Sequence, residues 1–463
     1  MFSRIDLANF RAIAGPIQVP LKPLTILVGE NGAGKTSVLE AIALTAQSAT
    51  EQPRLQDLVV QGTKWIATDI KEIYHAHDMN LRLSVGLTMR TGNIVDELGL
   101  LSTIATLSER EIFPAENFTY TWTRHGEETT VWSHRYDLDN TTLWDWHGEL
   151  LKRDQRGSEA RTEAYILMNG QKFGPLHPLK TLDRVLPEQI FGPPGQVFLR
   201  DRPTFTDAGE QRTAAGAAWQ ENIDAAVQKS GDILRPLADE MRQSLSRVSM
   251  MDPLRGKDLL TFSNGEAFSP GRHGENLLRL LTTLPVRQAK TFERFRSWAA
   301  KFGLESIEAG SHNNHLDLSA VDQGGTTLRF SEFATGSFQG LLIAAQILLA
   351  QARSVLLIEE PEANMHPAFE KLLADLFADG VSLGHQVIVT THSEILVAAV
   401  GGLVRKGSLD PEQVGIIEMS RDPQGVKARQ IEITERGLGE WVRSFTKVES
   451  ALSQEWAHGI PEE

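Results

Sequence analysis

Apolar and polar positions change period several times along the chain. Ser3 to Leu7 alternates, and Asn9-Phe10-Arg11 leads to a turn at Gly15-Pro16. Leu24 to Val28 is a continuous apolar run, the pattern of a strand buried on both faces. From Ser37 to Ala46 the apolar residues Val38, Leu39, Ile42 and Ala46 fall on one helical face. Residues 55–135 read as β-rich, with clear alternation from Leu81 to Leu87 and from Phe118 to Trp122. Gly174-Pro175 and Gly192-Pro193-Pro194-Gly195 punctuate a loop-rich span over 136–208. Helical patterning returns over 209–250, broken near Gly231 and Pro236, and again from Glu275 to about Phe302. After Ser331 the pattern predicts helix 337–351, strand 354–358, helix 366–379, strand 386–390 and helix 393–400, then a hairpin over 414–433 and a terminal helical segment. No heptad is sustained, so no long coiled-coil arm is expected, and no internal repeat is present.

Composition narrows the class. The 463 residues carry 46 Lys and Arg against 60 Asp and Glu, a net charge of −14, with 41% apolar and 23% charged residues. Those are values of a soluble globular chain, long enough for a composite domain or two domains. The absence of Cys excludes disulfides, thiolate zinc sites, iron–sulfur clusters and Cys nucleophiles. No run approaches the ~18 apolar residues of a membrane span, and the N-terminus lacks the apolar core of a secretory signal. A cytoplasmic protein without membrane contact is expected. The negative charge argues against a general nucleic-acid coat, although a local basic groove stays compatible with it.

Four segments carry chemistry. Gly29-Glu30-Asn31-Gly32-Ala33-Gly34-Lys35-Thr36, followed by Ser37, fits G-x-x-x-x-G-K-[ST] at every defined position, with a buried strand before it and a helix after it. The glycines let backbone N–H groups turn toward phosphate oxygens, the helix N-terminus adds its positive end, Lys35 supplies a point charge, and Thr36 offers a hydroxyl to Mg²⁺. The apolar run Val355 to Ile358 ends in Glu359 and Glu360. Strand alternation would point these two acids to opposite sides, one toward a metal's water shell and one toward an attacking water. Adjacent acids closing an apolar strand are costly unless a cation sits nearby. Thr335-Gly336-Ser337 is a small-residue turn opening an apolar helix; read alone, it is a plain helix cap at Thr335 or Ser337. Gln386 to Thr391 is a buried strand leading to His392, placed on the next strand of the same sheet and so beside the γ-phosphate.

Taken in this order, the four segments resemble the ATP-binding-cassette ATPases of the SMC, RecF and OLD type. RIDLANFR with LTILVGENGAGKTSVLEAI is similar to the opening of RecF-like and OLD-like heads, EEPEANMHP to the OLD-like Walker B and D-loop, and VIVTTHSEIL to their switch-His segment. MMDPLRG and SPGRHGENLLRLL are weakly similar to the OLD-like pattern. The resemblance implies an α/β P-loop head with a mixed central sheet, flanking helices and an N-terminal antiparallel β part. Residues 1–90 and 301–463 would form the head, with an inserted β-then-helical lobe over 91–300. It implies ATP and Mg²⁺ as ligands, Gly29 to Ser37 on the phosphates, and Thr36 with Glu359 on the metal. Glu360 would polarise the water and His392 would sense the γ-phosphate. Thr335, Gly336 and Ser337 would form a signature that meets the ATP of a second subunit, Asn364 would lie in the D-loop, and Arg11 would approach the nucleotide.

This chain also departs from that pattern. The signature is degenerate, lacking Ser-Gly-Gly-Gln, and the first acid is Glu where Asp is usual. Without Cys there is no zinc hook. The hairpin after His392 has no acidic D-x-D cluster, which disfavours a fused TOPRIM nuclease. The expectation is therefore a dimerising ATPase switch, a homodimer or higher homo-oligomer, acting in prokaryotic anti-phage defence with a separate effector such as a nuclease or toxin. The alternatives are a slow or non-hydrolysing ATP-bound scaffold that holds an effector, and a RecF-like DNA repair ATPase, for which DNA is a partner. His75, His77 and Asp78, the pair His312 and His315, and Asp137 with Asp139 read as structural or solvated groups. Trp122, Trp132, Trp144 and Trp146 read as packing of a small β domain.

Overall fold

A computed structural model describes residues 1–50, 58–62, 66–90, 117–126, 131–138, 141–150, 162–168, 171–176, 237, 239–253, 270–312 and 315–446. The chain opens with β1 (Phe2–Ala8), β2 (Ile17–Pro20), β3 (Leu24–Gly29) and α1 (Lys35–Thr50). Then come β4 (Arg82–Arg90), β5 (Asn117–His125), β6 (Val131–Leu138), β7 (Thr141–Leu150), β8 (Thr162–Met168) and β9 (Gln171–Leu176). Next are β10 (Val248–Met251), α2 (Leu277–Arg287), α3 (Ala289–Lys301), β11 (Glu305–His312), β12 (His315–Val321) and β13 (Thr327–Arg329). The last part holds α4 (Thr335–Leu348), β14 (Val355–Glu359), α5 (Pro367–Ser382), β15 (Gln386–Thr391), α6 (Glu394–Arg405), β16 (Val414–Asp422) and β17 (Gly425–Ile431). The helical patterning over 209–236 and the Pro/Gly turn at 192–195 lie outside the described residues.

The chain divides into two compact units. One comprises Met1, residues 12–43 and residues 247–463; the other comprises residues 2–11 and 44–246. The second unit is an antiparallel sheet in the order β1-β4-β5-β6-β7-β8-β9. Leu83, Val85, Leu87 and Met89 of β4 and Phe118, Tyr120 and Trp122 of β5 are buried, and the Trp122 indole N–H donates to Thr45 Oγ1 at 2.8 Å. Trp132 lies on β6, and Trp144 and Trp146 on β7. His75 and His77 turn Nδ1 toward the carbonyl oxygens of Arg11 (2.7 Å) and Lys71 (3.4 Å).

The first unit is built on a mixed sheet in the order β10-β14-β15-β3-β16-β17. Every neighbouring pair is parallel except β16 with β17, the hairpin expected at 414–433. Strands β3, β14 and β15 are buried at every position, as continuous apolar runs require between helical layers. The mixed α/β class, with an antiparallel part near the N-terminus, is therefore the one the sequence implies. A small antiparallel sheet, β11-β12-β13, completes the unit.

The expected helical block from Glu275 to Phe302 is two helices. Helix α2 continues past Pro285 to Arg287, and Gln288, at φ −145° and ψ 66°, leaves helical space before α3 begins. Helix α3 buries Phe292, Phe295, Trp298 and Ala299. Helix α4 is buried from Ser337 to Leu348, and the Gln346 amide, which interrupts its apolar run, donates to Ser249 Oγ. Phe302 packs flat against α4 because Gly340 has no side chain; a Cβ there would lie 2.4 Å from the Phe302 ring. Gly340→Ala should therefore lower stability by about 1–3 kcal/mol, the usual cost of overpacking a core. Denaturant unfolding measures this, and an unchanged midpoint would show that the Phe302 contact is not tight.

Candidate functional site

The phosphate loop leaves β3 in the middle of the central sheet and runs directly into α1. Gly29 sits at φ +143°, and a Cβ on it would lie 2.0 Å from the Met419 carbonyl oxygen on neighbouring β16, so only glycine fits. Gly32 and Gly34 also have positive φ, at 75° and 89°. The loop tip from Glu30 to Gly32 is exposed, whereas Ala33, Gly34, Lys35 and Ser37 are buried. Lys35 curls back over the loop, its Nζ donating to the carbonyl oxygens of Gly29 (2.9 Å) and Glu30 (3.0 Å). Ser37 Oγ accepts from the Ala12 N–H at 3.4 Å.

Parallel pairing brings the other groups to the same edge. Glu359 is in register with Thr390, and Thr391 with Val28, so β14, β15 and β3 end at one level. The Thr36 hydroxyl donates to Glu359 Oε1, joining the phosphate loop to the acidic strand end. His392 follows β15, with Nε2 3.6 Å from Glu360 Oε1.

The strand alternation behind the expected opposition of Glu359 and Glu360 does not extend to Glu360. Strand β14 ends at Glu359, and Glu360 takes a left-handed conformation at φ 41°. Strand alternation therefore stops one residue too early to divide the two acids. Glu360 still donates its N–H to the Thr390 carbonyl at 3.0 Å, and Glu359, Glu360 and Glu362 all exert their fields on Lys35. Burial pushes the Lys35 ammonium below its ordinary range, against the pull of those three carboxylates. Burial raises Glu359, with Asp252 and Glu360 adding to the effect, while the Thr36 hydrogen bond and Arg272 oppose it. Burial and Lys35 hold His392 below the usual imidazole range, with Glu360 opposing.

Thr335, Gly336 and Ser337 form the first turn of α4, but none of them is its cap. The cap position is Ala334, which offers no side-chain bond. Thr335 is exposed and Ser337 is buried. Among the described residues, no hydrogen bond joins this turn to the phosphate loop of the same chain. A Cβ on Gly336 would lie 3.1 Å from the carbonyl oxygen of Asn364, itself left-handed at φ 62°. Arg11 belongs to the other unit, where its guanidinium donates to the Ile66 carbonyl.

The structure adds groups to which the sequence assigned no role. Met251 pairs with Ile358, so Asp252 stands at the end of β10 beside Glu359. Asp252 is ion-paired with Arg272. Glu362 is partly buried and accepts the His392 N–H. The weak MMDPLRG and SPGRHGENLLRLL resemblances contain Asp252 and Arg272, but nothing in either segment marks the two as a pair.

The set fits a magnesium–triphosphate ligand. Open space lies where a Gly32 side chain would be, and the buried Nε2 of His392 has no hydrogen-bond partner. No cluster of three metal-binding His, Asp or Glu side chains exists among the described residues. No helix among the described residues is long and apolar enough to cross a membrane.

Two family models match the chain. Residues 1–97 match the "AAA ATPase domain", and residues 291–398 match "AAA domain, putative AbiEii toxin, Type IV TA system". The DNA replication and repair protein RecF of Shewanella denitrificans is 31% identical over 180 residues, covering 37% of this chain and 47% of that protein. The OLD nuclease of Thermus scotoductus is 52% identical over 44 residues, 10% of this chain and 8% of that protein. The chain thus spans less than half the length of the curated relatives it matches. A solved SMC head, bound to the C-winged helix domain of ScpA, superposes with a TM-score of 0.43 at 13% identity, covering 93% of this chain and 98% of that one. The order of the central sheet, rather than this superposition, fixes the fold. Both family models, the RecF and OLD likenesses and the motif order agree in supporting an ABC-type ATPase of the SMC, RecF and OLD group.

Proposed function

We propose that this chain hydrolyses ATP and uses the hydrolysis to switch a pair of heads between closed and open states. The observation that carries the reading is the meeting of Lys35, Thr36, Glu359, Glu360 and His392 at one edge of the central sheet. Loop amides from Gly29 to Ser37 and the α1 N-terminus cradle the phosphates. Lys35 exchanges the Gly29 and Glu30 carbonyls for β- and γ-phosphate oxygens. Thr36 and Glu359 would hold Mg²⁺, which when bound supplies charge neutralisation across the β- and γ-phosphates. Glu360 orients a water in line with the γ-phosphorus and receives its proton as the bond to ADP breaks. His392, whose imidazole burial and Lys35 hold below its usual range, reports the γ-phosphate to its loop.

The uncapped first turn at Thr335 and Gly336 supplies donors to the nucleotide of a second copy, so closure requires ATP in both heads. Loss of the γ-phosphate removes that link. The RecF and OLD likenesses and the toxin-related family model support work on DNA or in anti-phage defence, with a separate nuclease or toxin as effector. Defence is the leading reading. DNA repair is the second, favoured by the 180-residue RecF likeness.

Lys35→Ala should weaken ATP binding by at least about a hundredfold, measured with a fluorescent ATP analogue; wild-type affinity would remove the phosphate-cradle assignment. Glu360→Gln should keep ATP binding and lower multiple-turnover phosphate release by roughly 100-fold or more. Binding without turnover in the wild type would favour the effector-holding scaffold instead. Thr335→Arg, at an exposed position, should leave monomer binding intact and block ATP-dependent pairing in light scattering. Pairing at the wild-type ATP concentration would show that the turn does not act across the interface.

A further inference from the structure

Two loops of the site are tied together by carboxylates that the proposed chemistry does not use. The turn after β14 runs from Glu360 to Met365 with two left-handed residues, Glu360 and Asn364. Its internal bonds, Ala363 N–H to the Glu360 carbonyl (3.1 Å) and Met365 N–H to the Glu362 carbonyl (2.9 Å), make it a compact double turn. From this turn Glu362 reaches the loop after β15. Its Oε1 accepts the His392 N–H at 2.7 Å. One residue on, Ser393 Oγ donates to Glu370 Oε2 at 2.5 Å, and the same Oγ accepts the Leu396 N–H to cap α6. Two successive residues, His392 and Ser393, are thus bonded to acids of the segment that follows the paired carboxylates.

A carboxylate is a costly choice for this contact. Glu362 is partly buried, desolvation raises its pKa, and its buried Oε2 has no hydrogen-bond partner. A neutral acceptor would hold an ordinary turn at lower desolvation cost. What the carboxylate supplies is a charge-assisted bond to one particular N–H, roughly twice as strong as a neutral one. That N–H belongs to the residue whose ring lies 3.6 Å from Glu360. Beside the Glu360 N–H bond to the Thr390 carbonyl, the Glu362 side chain thus adds a second link, made directly to the His392 backbone.

We infer that Glu362 is the positioning residue of the switch: it sets the spacing of His392 from Glu360 and makes the imidazole loop and the Asn364 turn move as one piece. The inference rests on the ATPase reading of the same site. Glu362 touches neither substrate nor water in this role. A change at the γ-phosphate that moves His392 is carried by Glu362 into the turn whose Asn364 carbonyl lies against Gly336. In this way the state of one nucleotide reaches the helix turn assigned to the second copy.

The test uses the full chain labelled at histidine Cε1, with His392 assigned by loss of its signal in His392→Gln and with steady-state ATP hydrolysis measured in parallel. Glu362→Ala should shift or broaden the His392 signal and leave the buried His385 signal in place. It should lower kcat by at least about tenfold with KM for ATP within about threefold of wild type. Glu362→Gln, which keeps an acceptor oxygen, should give a smaller shift and recover part of kcat. An unmoved His392 signal in both variants overturns the inference, as does a loss confined to KM. If Glu362→Ala does not fold, Glu362→Gln decides alone, by its His392 signal and its kcat. Absence of turnover in the wild type would defeat the hydrolysis reading, while the His392 signal still decides the positioning role.

Discussion

The site depends on one buried ammonium held among carboxylates. Glu359, Glu360 and Glu362 all act on Lys35, and Asp252 stands beside Glu359. Like charges about 4 Å apart in a protein of effective dielectric near 20 repel by roughly 4 kcal/mol, so such a group persists only with compensation. The chain supplies part of it through Lys35, Arg272 and the Thr36 hydroxyl. Glu359 nevertheless stays raised, because burial and neighbouring acids outweigh Thr36 and Arg272. The remaining negative charge gives a physical reason to propose the magnesium complex of a triphosphate, rather than a bare anion, as the ligand.

The sheet makes this convergence possible. Because β14, β15 and β3 are parallel and in register, their carboxyl ends come out on one edge, where open α/β sheets place their ligands. Residues more than three hundred positions apart, such as Thr36 and Glu359, then need only short side chains to meet. The close contact of Gly29 with the Met419 carbonyl sets the phosphate loop against β16 on the opposite side. A side chain at position 29 would have to displace backbone, so the loop's path is fixed by the neighbouring strand as much as by its own glycines.

The sequence exposed the parts of this arrangement that depend on local backbone demands. Continuous apolar runs marked β3, β14 and β15, and the glycine spacing marked the phosphate loop, because few sequences satisfy those conformations. Groups delivered by long-range pairing stayed hidden. Strand β10 is four residues long and meets β14 across a hundred positions, so nothing near Asp252 announced Glu359 as its neighbour. The left-handed turn at Glu360 was equally silent, since that conformation usually belongs to Gly or Asn and here falls on Glu. Helix α4 begins at Thr335, two residues earlier than its apolar pattern indicated, because polar and small residues occupy its first turn.

That first turn bears on how the degenerate signature can serve. A helix leaves its first N–H groups without intrahelical partners, and proteins usually meet them with a Ser, Thr, Asp or Asn cap. Ala334 at the cap position provides none. Ser337, the residue nearest to a conventional signature serine, is buried and faces the interior beside Gly303. The donors that remain outward are therefore those of the backbone and the exposed Thr335 hydroxyl. A motif that binds through main-chain N–H groups tolerates side-chain change, provided that a small residue keeps the turn close to its support. Gly336 does this against the Asn364 carbonyl. On the proposed role, the degeneracy of the side chains is compatible with an anion-binding turn, because the backbone would carry the contact that the missing serine and glutamine would otherwise reinforce.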